Sequence, residues 1–367
     1  MKKKTSILII SLSFLFLISS GCTDLLSNFS TDDTITFQAH PTTIRYSINY
    51  GFNITSTGTG KAIIQYHEDI PDIPKGSLID LQILNDQSTK TITVANNTMA
   101  QWNYTLNNNN RISLGIQATV QVGTIFVDSL KPTETLTLNQ LQTEYDNLIQ
   151  QYCISQGNDT NWLIEPNYQP IQQTAQQILE NGKTNNSFEV AKNIFRWVKE
   201  QTSYTIHPDQ GNTQPASVTF QQKTGDCDDL SFLYMSMLRS LDIPCRFIKG
   251  YLLSDLGNES VQAISHLWVE VFVGGNLGLD GWIPVECAGT ADVDHEIYQN
   301  FGIEDALHLR LFTGDGSNNS LIKSSSHISV EYSNDMNIDI IGFENVTDYN
   351  VINSQKLCIK ENERSYC

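Results

Sequence analysis

The chain has 367 residues and a formal net charge of −18, from 22 Lys and Arg against 40 Asp and Glu. That length exceeds one ordinary core, so we expect two domains plus tails. The apolar fraction of 40% is sufficient for globular folding. A chain this acidic repels phosphate backbones and anionic lipid, which argues against nucleic acid as a partner.

The N-terminus has the pattern of an export signal. MKKK precedes an apolar run from Ser6 to Ser19, and small residues precede Cys22. The run is shorter than the ~20 residues of a spanning helix, so we expect residues 1–21 to be cleaved and Cys22 to be lipidated. A nearby secretory cut and an uncleaved anchor are the alternatives. The protein would then be exported and anchored to the membrane at the cell surface, with residues 22–33 as a polar tether.

Residues 34–130 show the alternation of half-buried strands. Ile44, Tyr46, Ile48 and Tyr50 alternate with polar residues, and the same period recurs in 112–122. Turn-rich segments such as STGTGK and LNNNNR separate the runs. The pattern predicts a β-sandwich without catalytic residues, whose role would be to space, orient or bind.

Helical spacing replaces the alternation from residue 131 onward. A linker helix is expected within 131–164, and two more helices follow before the polar stretch between Tyr204 and Thr224, which is expected to be a loop. A further helix and several strands come next. Helices followed by strands predict an α+β domain over 165–340 built on antiparallel pairs, with 341–367 as a polar C-terminal tail.

Cys227 stands at the start of an amphipathic helix in the stretch TGDCDDLSFLYMSMLRSLDIPCRFIKG. The apolar residues behind it follow one helical stripe: Leu230, Leu233, Tyr234, Met237, Leu238 and Leu241. Unpaired N–H groups and the helix dipole favour a thiolate there. Asp226, Asp228 and Asp229 oppose this because nearby anions raise the pKa of a thiol. A dedicated base is therefore needed.

A histidine and a carboxylate follow on two predicted strands. In HLWVEVFV the aliphatic residues form one face and leave His266 on the other, and in GWIPVE the alternation places Glu286 on the matching face. A hairpin that sets His266 opposite Glu286 and Glu270 opposite Trp282 would place imidazole beside carboxylate. Glu270 and Asp280 are alternative partners for the histidine.

A cysteine at a helix start, a histidine on a strand and an acid on the next strand are the parts of nucleophilic acyl transfer. The blocks GDCDDLSFLYMSMLRSLDIPCRFIKGY, HLWVEVFV and GWIPVECAGT, with NIFRWVKEQTSY as lead-in, resemble the transglutaminase-like superfamily of papain-related cysteine enzymes over about 165–335. The resemblance implies Cys227 as nucleophile, His266 as its base and Glu286 as the orienting acid. Glu286 and Cys287 depart from the family's usual aspartate and proline.

The resemblance implies a thioester formed from a peptide or carboxamide. Water would resolve it in a peptidase or amidase, and an amine would do so in a cross-linking transglutaminase; the exported setting favours hydrolysis, with cell-envelope peptides or proteins as candidate substrates. A non-catalytic surface module for binding or scaffolding is the alternative of another class. No spacing supports a metal site and no glycine-rich phosphate loop precedes a helix, so neither metal nor cofactor is expected.

Other polar and aromatic residues have weaker signals. Gln221 lies where papain-like enzymes place an oxyanion donor, although the backbone N–H of Cys227 is the better candidate. Trp268 and Trp282 are expected either to wall the cleft or to pack in the core. Three histidines lack a partner pattern and are assigned no role: His207, His295 and His308.

Cysteine pairing is only partly constrained by the sequence. Cys358 with Cys367 would close a small C-terminal loop, and Cys245 with Cys287 would join neighbouring strands. Cys153 is left over as an odd thiol.

Overall fold

The computed structural model describes residues 6–7, 34–153, 163–206, 213–254, 261–317, 320–321 and 327–367. Its strands are β1 (Ser6–Ile7), β2 (Thr34–Gly58), β3 (Lys61–Asp69), β4 (Gly76–Leu84), β5 (Thr89–Val94), β6 (Asn97–Asn107), β7 (Arg111–Gly123), β8 (Ile125–Phe126), β9 (Ser203–Tyr204), β10 (Thr224–Gly225), β11 (Cys245–Ser254), β12 (Gln262–Phe272), β13 (Trp282–Val285), β14 (Ile303–Glu304), β15 (His308–Gly314), β16 (His327–Tyr332), β17 (Met336–Lys360) and β18 (Glu363–Tyr366). Its helices are α1 (Leu138–Glu144), α2 (Asp146–Tyr152), α3 (Gln169–Gly182), α4 (Ser187–Gln201), α5 (Ala216–Gln222), α6 (Cys227–Arg239) and α7 (Val293–Asn300), with a short helical turn at Asp86–Ser88.

The predicted β-sandwich is present. One sheet has the strand order β1-β16-β3-β6-β5 and the other β18-β17-β2-β7-β4. Ile44, Tyr46, Ile48 and Tyr50 are fully buried between them, and Trp102 of β6 contributes the largest side chain of this core. The period-two pattern therefore identified the inward faces correctly.

The segment after residue 340, expected to be a tail, forms part of the sandwich. β17 runs antiparallel to β2 from Met336, opposite Gly58, to Lys360, opposite Thr34. Most of its side chains are exposed on both faces. The alternation of Met336, Ile338 and Ile340 ends at residue 340, and the rest of the strand lacks the regular apolar signal from which strands are recognised. Pairing with β2 holds this part, together with the buried Leu357 and Ile359.

The second domain has the expected α+β fold. Its antiparallel sheet has the order β13-β12-β11-β15. Its core joins α3, α4 and α6 to the aliphatic face of β12, which consists of Leu267, Val269, Val271 and Val273. α6 is buried around most of its circumference, because helices cover one side and the sheet the other.

The linker region differs from a single helix. Thr137 caps α1 by accepting a hydrogen bond from the backbone N–H of Gln140, and Tyr145 separates α1 from α2. The pair packs on Phe272 and Trp282 of the β13-β12-β11-β15 sheet. The stretch between Tyr204 and Thr224, expected to be a loop, includes α5.

The sandwich and the α+β domain are in contact. Leu253, Leu309 and Leu311 of the β13-β12-β11-β15 sheet lie in the same buried cluster as the inner residues of the sandwich. The backbone N–H of Asp72, after β3, also donates to the carbonyl of Arg310 in β15 at 3.0 Å. The sandwich thus supports the back of the four-stranded sheet.

Several predictions about the termini fall on residues outside this description. The signal peptide, apart from Ser6–Ile7, and the lipidated Cys22 with its tether are among them. Within the described ranges, no helix combines the length and apolarity needed to cross a membrane. Cys358 and Cys367 form the expected disulfide. Cys245 and Cys287 are both free and buried, so the pairing suggested for them is not formed.

Candidate active site

Cys227 is the first residue of α6 and a half-buried free thiol. Burial raises the pKa of this thiol well above its usual range, and the charges of Asp228, Asp226 and Glu286 raise it further, while the backbone N–H of Leu267 lowers it. The sulfur of Cys227 therefore lies next to the backbone of Leu267, the residue after His266. At neutral pH the thiol is protonated, so it needs a base to become nucleophilic.

The three aspartates around the thiol are in different states. Burial, followed by Asp228 and Asp229, raises the pKa of Asp226 to about 9, so this carboxyl is neutral at pH 7. Asp229 accepts hydrogen bonds from the backbone N–H of Gln214 at 2.6 Å and from its side-chain amide at 2.8 Å. Thr213 donates to Asp228. The local negative charge is therefore smaller than the sequence suggests.

His266 and Glu286 are in direct contact, as expected from the sequence. His266 Nε2 lies 2.5 Å from Glu286 Oε2, and the histidine is only 6% exposed. This bond uses Nε2, so Nδ1 is the nitrogen left to accept the thiol proton. A carboxylate in this position fixes the tautomer and stabilises the imidazolium.

The hairpin register differs from the predicted one by two residues. Glu270 pairs with Pro284 and Phe272 with Trp282, where the sequence predicted Glu270 opposite Trp282. The connection is longer than expected, because Gly274, Gly275, Gly278 and Gly281 extend it with positive φ angles. A shift of two keeps every side chain on its predicted face, so His266 and Glu286 meet as diagonal neighbours.

Glu286 is held by more than His266. Its Oε1 accepts a hydrogen bond from the backbone N–H of Ala288 at 2.6 Å, and its Oε2 also lies 3.2 Å from His308 Nε2. Burial alone would raise the pKa of Glu286, but His266 and then His308 hold it far below its usual range. The carboxylate is therefore ionised throughout the working pH range of a protein.

His308, assigned no role from the sequence, belongs to this cluster. Its Nδ1 lies 2.7 Å from Asp305 Oδ1, and its Nε2 faces Glu286. Burial alone would lower the pKa of His308, but Asp305 and Glu286 together raise it to about 10. The ring is therefore cationic at neutral pH. In DALHLRLF, His308 and Arg310 alternate with leucines, which predicts a polar face on this strand. The alternation does not show which residue His308 contacts.

Glu270, an alternative partner for His266, binds arginines instead. It is fully buried and contacts Arg310 at 2.7 Å and Arg246 at 2.6 Å. Arg310 also contacts Glu304 at 2.5 Å, and Trp268 Nε1 donates to Glu304 at 2.6 Å. These side chains form a buried ionic network beneath the site.

Three residues singled out from the sequence lie behind or beside the site. Trp268 is buried, with its ring stacked 5.8 Å from that of His266. Trp282 is buried and packs with Phe272, Tyr152 and Arg246. Gln221 is exposed on α5 and donates to Tyr168 at 2.8 Å.

Tyr204 adds a hydroxyl that the sequence did not single out. Tyr204 is paired with Gly225 in the parallel β9–β10 pair, and Gly225 lies two residues before Cys227 in the sequence. Burial raises the pKa of Tyr204, and Cys227, Asp226 and Glu286 raise it further. The phenol therefore keeps its proton and can donate a hydrogen bond.

Two groups of side chains have the spacing of metal ligands. The donor atoms of His266, Glu286 and His308 lie within 4.8 Å of one another, as do those of Asp226, Cys227 and Asp228. In the first group, hydrogen bonds already join both imidazoles to Glu286. This arrangement suits proton transfer between the imidazoles and the carboxylate.

A free thiol at a helix start, next to the backbone of Leu267, and a neighbouring histidine that is bonded to a carboxylate on an α+β scaffold are the parts of the Cys-His-acid class of sites. Residues 172–287 match the model of the transglutaminase-like superfamily. The match confirms the resemblance to this superfamily that was expected from the sequence.

Other proteins are similar to parts or all of the chain. An uncharacterized protein of Mycobacterium leprae is 30% identical over 94 residues, or 25% of this chain and 33% of the relative, so the chain matches about one third of that protein's length. A candidate cysteine protease from Cytophaga hutchinsonii shares the fold at 14% identity and a TM-score of 0.50, over 91% of this chain and 100% of that one. The periplasmic domain of TgpA from Pseudomonas aeruginosa is 14% identical, covers 65% of this chain and 89% of that one, and has a TM-score of 0.29.

Proposed function

We propose that the protein is a cysteine acyl-transfer enzyme that hydrolyses peptide or carboxamide bonds, with Cys227, His266 and Glu286 as its catalytic residues. The observation that carries the proposal is the 2.5 Å contact between His266 Nε2 and Glu286, which leaves Nδ1 to serve a thiol at the start of α6. A neutral resting thiol matches a mechanism in which the histidine acts as general base.

The reaction would run in two halves. His266 Nδ1 takes the Cys227 proton as the sulfur attacks the substrate carbonyl carbon, and then returns that proton to the leaving amine as the C–N bond breaks. Water attacks the resulting thioester, giving a proton to the same nitrogen, and the C–S bond breaks as the thiolate is reprotonated. The backbone N–H of Cys227 and the Tyr204 hydroxyl are the candidate donors to the oxyanion.

The choice between water and an amine is tested by supplying both. The full-length protein is incubated with casein and a fluorescent primary amine, and peptide release and amine incorporation are read in parallel. We expect release without incorporation; the description of the Cytophaga protein as a candidate cysteine protease supports this direction. Incorporation without release would support a cross-linking transglutaminase. The absence of both products would contradict an acyl-transfer enzyme for this substrate class.

Replacing Glu286 with glutamine should lower kcat by at least about a hundredfold. The amide has nearly the same shape, but it carries no charge to stabilise the imidazolium of His266. Asp280→Asn is the matched control, because Asp280 is exposed in the hairpin connection. Equal rates for the Glu286 variant and the wild type would show that the carboxylate does not assist the base.

Export and a lipid anchor at Cys22 complete the proposal. The support is the sequence of residues 1–22 together with the Cys358–Cys367 disulfide, because disulfides persist in oxidising compartments. Cells grown with labelled palmitate should transfer label to the wild-type protein and none to Cys22→Ser. Equal labelling of the two would contradict lipidation at this cysteine.

A further inference from the structure

We propose that His308, held by Asp305, is a positioning residue of the active site, which fixes Glu286 and thereby holds His266 in place to serve Cys227. The proposal rests on the proposed function, since it assigns the outer part of the same site. It extends the three catalytic residues to a hydrogen-bonded chain in the order Asp305, His308, Glu286, His266.

The contacts of this chain are direct. Asp305 Oδ1 lies 2.7 Å from His308 Nδ1, His308 Nε2 lies 3.2 Å from Glu286 Oε2, and the same oxygen lies 2.5 Å from His266 Nε2. Both nitrogens of His308 therefore face carboxylates, an environment that selects the doubly protonated ring. As an imidazolium, His308 donates at both ends.

The sharing of one carboxylate oxygen has a geometric consequence. Glu286 has free rotation about its side-chain bonds unless its oxygens are tied, and each of them is: Oε1 by the backbone N–H of Ala288 and Oε2 by two imidazoles. Such pre-organisation holds His266 in one orientation before substrate arrives. Without His308, Oε2 keeps a single partner.

The charges lead to the same conclusion. Glu286 and Asp305 are two partly buried carboxylates near a thiol that must become an anion, and His308 is the cation placed between them. It offsets part of the negative charge that opposes ionisation of Cys227. It also weakens the hold of Glu286 on a proton at His266, because two cations then share one anion.

The surroundings of His308 leave the two carboxylates as its hydrogen-bond partners. Trp268 packs edge-on against the ring at 4.9 Å, and the ring of His266 lies 5.6 Å away. On its other side a small cavity is shared with charged groups of several elements: Asp72 and Lys75 after β3, Glu304 of β14 and Arg310 of β15. Glu304 is bonded to Arg310 and to Trp268.

The test measures the rate of alkylation of Cys227 by iodoacetamide against pH, which requires no substrate. In the wild type we expect reactivity to rise with pH through an acid limb, as His266 loses its proton and becomes a base. In His308→Gln a cation is removed from near His266, so its proton is held more tightly. The limb should move to higher pH by at least about half a unit, and kcat/KM on casein should fall about tenfold.

Two further variants separate positioning from folding. Asp305→Asn keeps the ring but removes one of the two anions that stabilise its protonated form, so His308 loses its positive charge at lower pH. Because His308 lies between Asp305 and the Glu286–His266 pair, loss of the nearer cation outweighs loss of the farther anion, and the limb should move in the same direction. Combined with His308→Gln it should add little, because both act through Glu286. His295→Gln is the matched control. His295 lies on α7, where its ring packs edge-on against Phe37 at 4.8 Å, and it is not part of the hydrogen-bonded chain.

The outcomes are distinguishable. A wild-type profile without an acid limb would overturn the proposed function and this inference together. A normal wild-type limb that neither His308→Gln nor Asp305→Asn moves would overturn this inference alone. If His308→Gln melts before it can be assayed, Asp305→Asn, in which the ring remains, decides the question by the same limb.

Discussion

Replacing Cys227 with alanine abolishes turnover, lowering the rate of casein cleavage by at least about a thousandfold. The sulfur is the atom that forms the thioester, and neither Cys153, Cys245 nor Cys287 can replace it, because all three are buried. The same variant should lose labelling by a thiol-directed acyl probe. Cleavage and labelling are measured beside Cys153→Ala, which removes a free thiol from the end of α2 and should leave both unchanged.

Retained labelling in Cys227→Ala would contradict the assignment of the nucleophile. A different result would favour a non-catalytic binding module: a wild-type thiol with an ordinary pKa near ~8.5 that is alkylated no faster than free cysteine. For the acyl-transfer enzyme we expect wild-type Cys227 to be alkylated faster than free cysteine, because His266 removes the proton that burial and the neighbouring carboxylates otherwise keep on the sulfur.

The three central residues could be predicted because each belongs to a local pattern. The helical stripe placed Cys227 at a helix start, and the period-two alternation placed His266 and Glu286 on one face of a hairpin. Alternation fixes the face but not the register. The prediction therefore survived a shift of two residues, whereas a shift of one would have separated the pair.

His308 could not be found in this way, because its partner depends on the order of the strands. In the sheet, β11 lies between β15 and β12. The sequence does not show which polar side chain of β15 reaches past β11 to the His266–Glu286 pair. Gly250 of β11 stands between His266 and Arg310 in the two ladders and has no side chain to block the crossing. Such a glycine becomes informative only once the sheet order is known.

The final strands show a second limit. β17 is mostly exposed, so its sequence reads as a polar tail, yet its backbone pairs with β2 along nearly its whole length. Backbone hydrogen bonds leave no pattern in the side chains. Residues 341–367 were therefore predicted to be a polar tail because they lack an apolar pattern, whereas the strand forms through its backbone hydrogen bonds with β2.

Replacing Arg310 with leucine should destabilise the fold by about 3–5 kcal/mol, because it leaves buried carboxylates without their cation. Arg310 is itself buried and contacts Glu270 at 2.7 Å and Glu304 at 2.5 Å. The free energy of unfolding is measured by urea titration. Arg246→Leu is the matched control: it removes another arginine from Glu270, but one whose side chain is 20% exposed, and Arg310 remains.

Arg246→Leu should therefore lower the free energy of unfolding by less, about 1–3 kcal/mol. Adding Glu270→Gln and Glu304→Gln to Arg310→Leu should recover part of the loss, since neutral amides are less costly to bury than unpaired carboxylates. A loss below about 1 kcal/mol for Arg310→Leu would mean that water or another cation reaches these groups. Because Trp268 donates to Glu304 and stacks on His266, disorder in this network should also reduce alkylation of Cys227 before the protein unfolds globally.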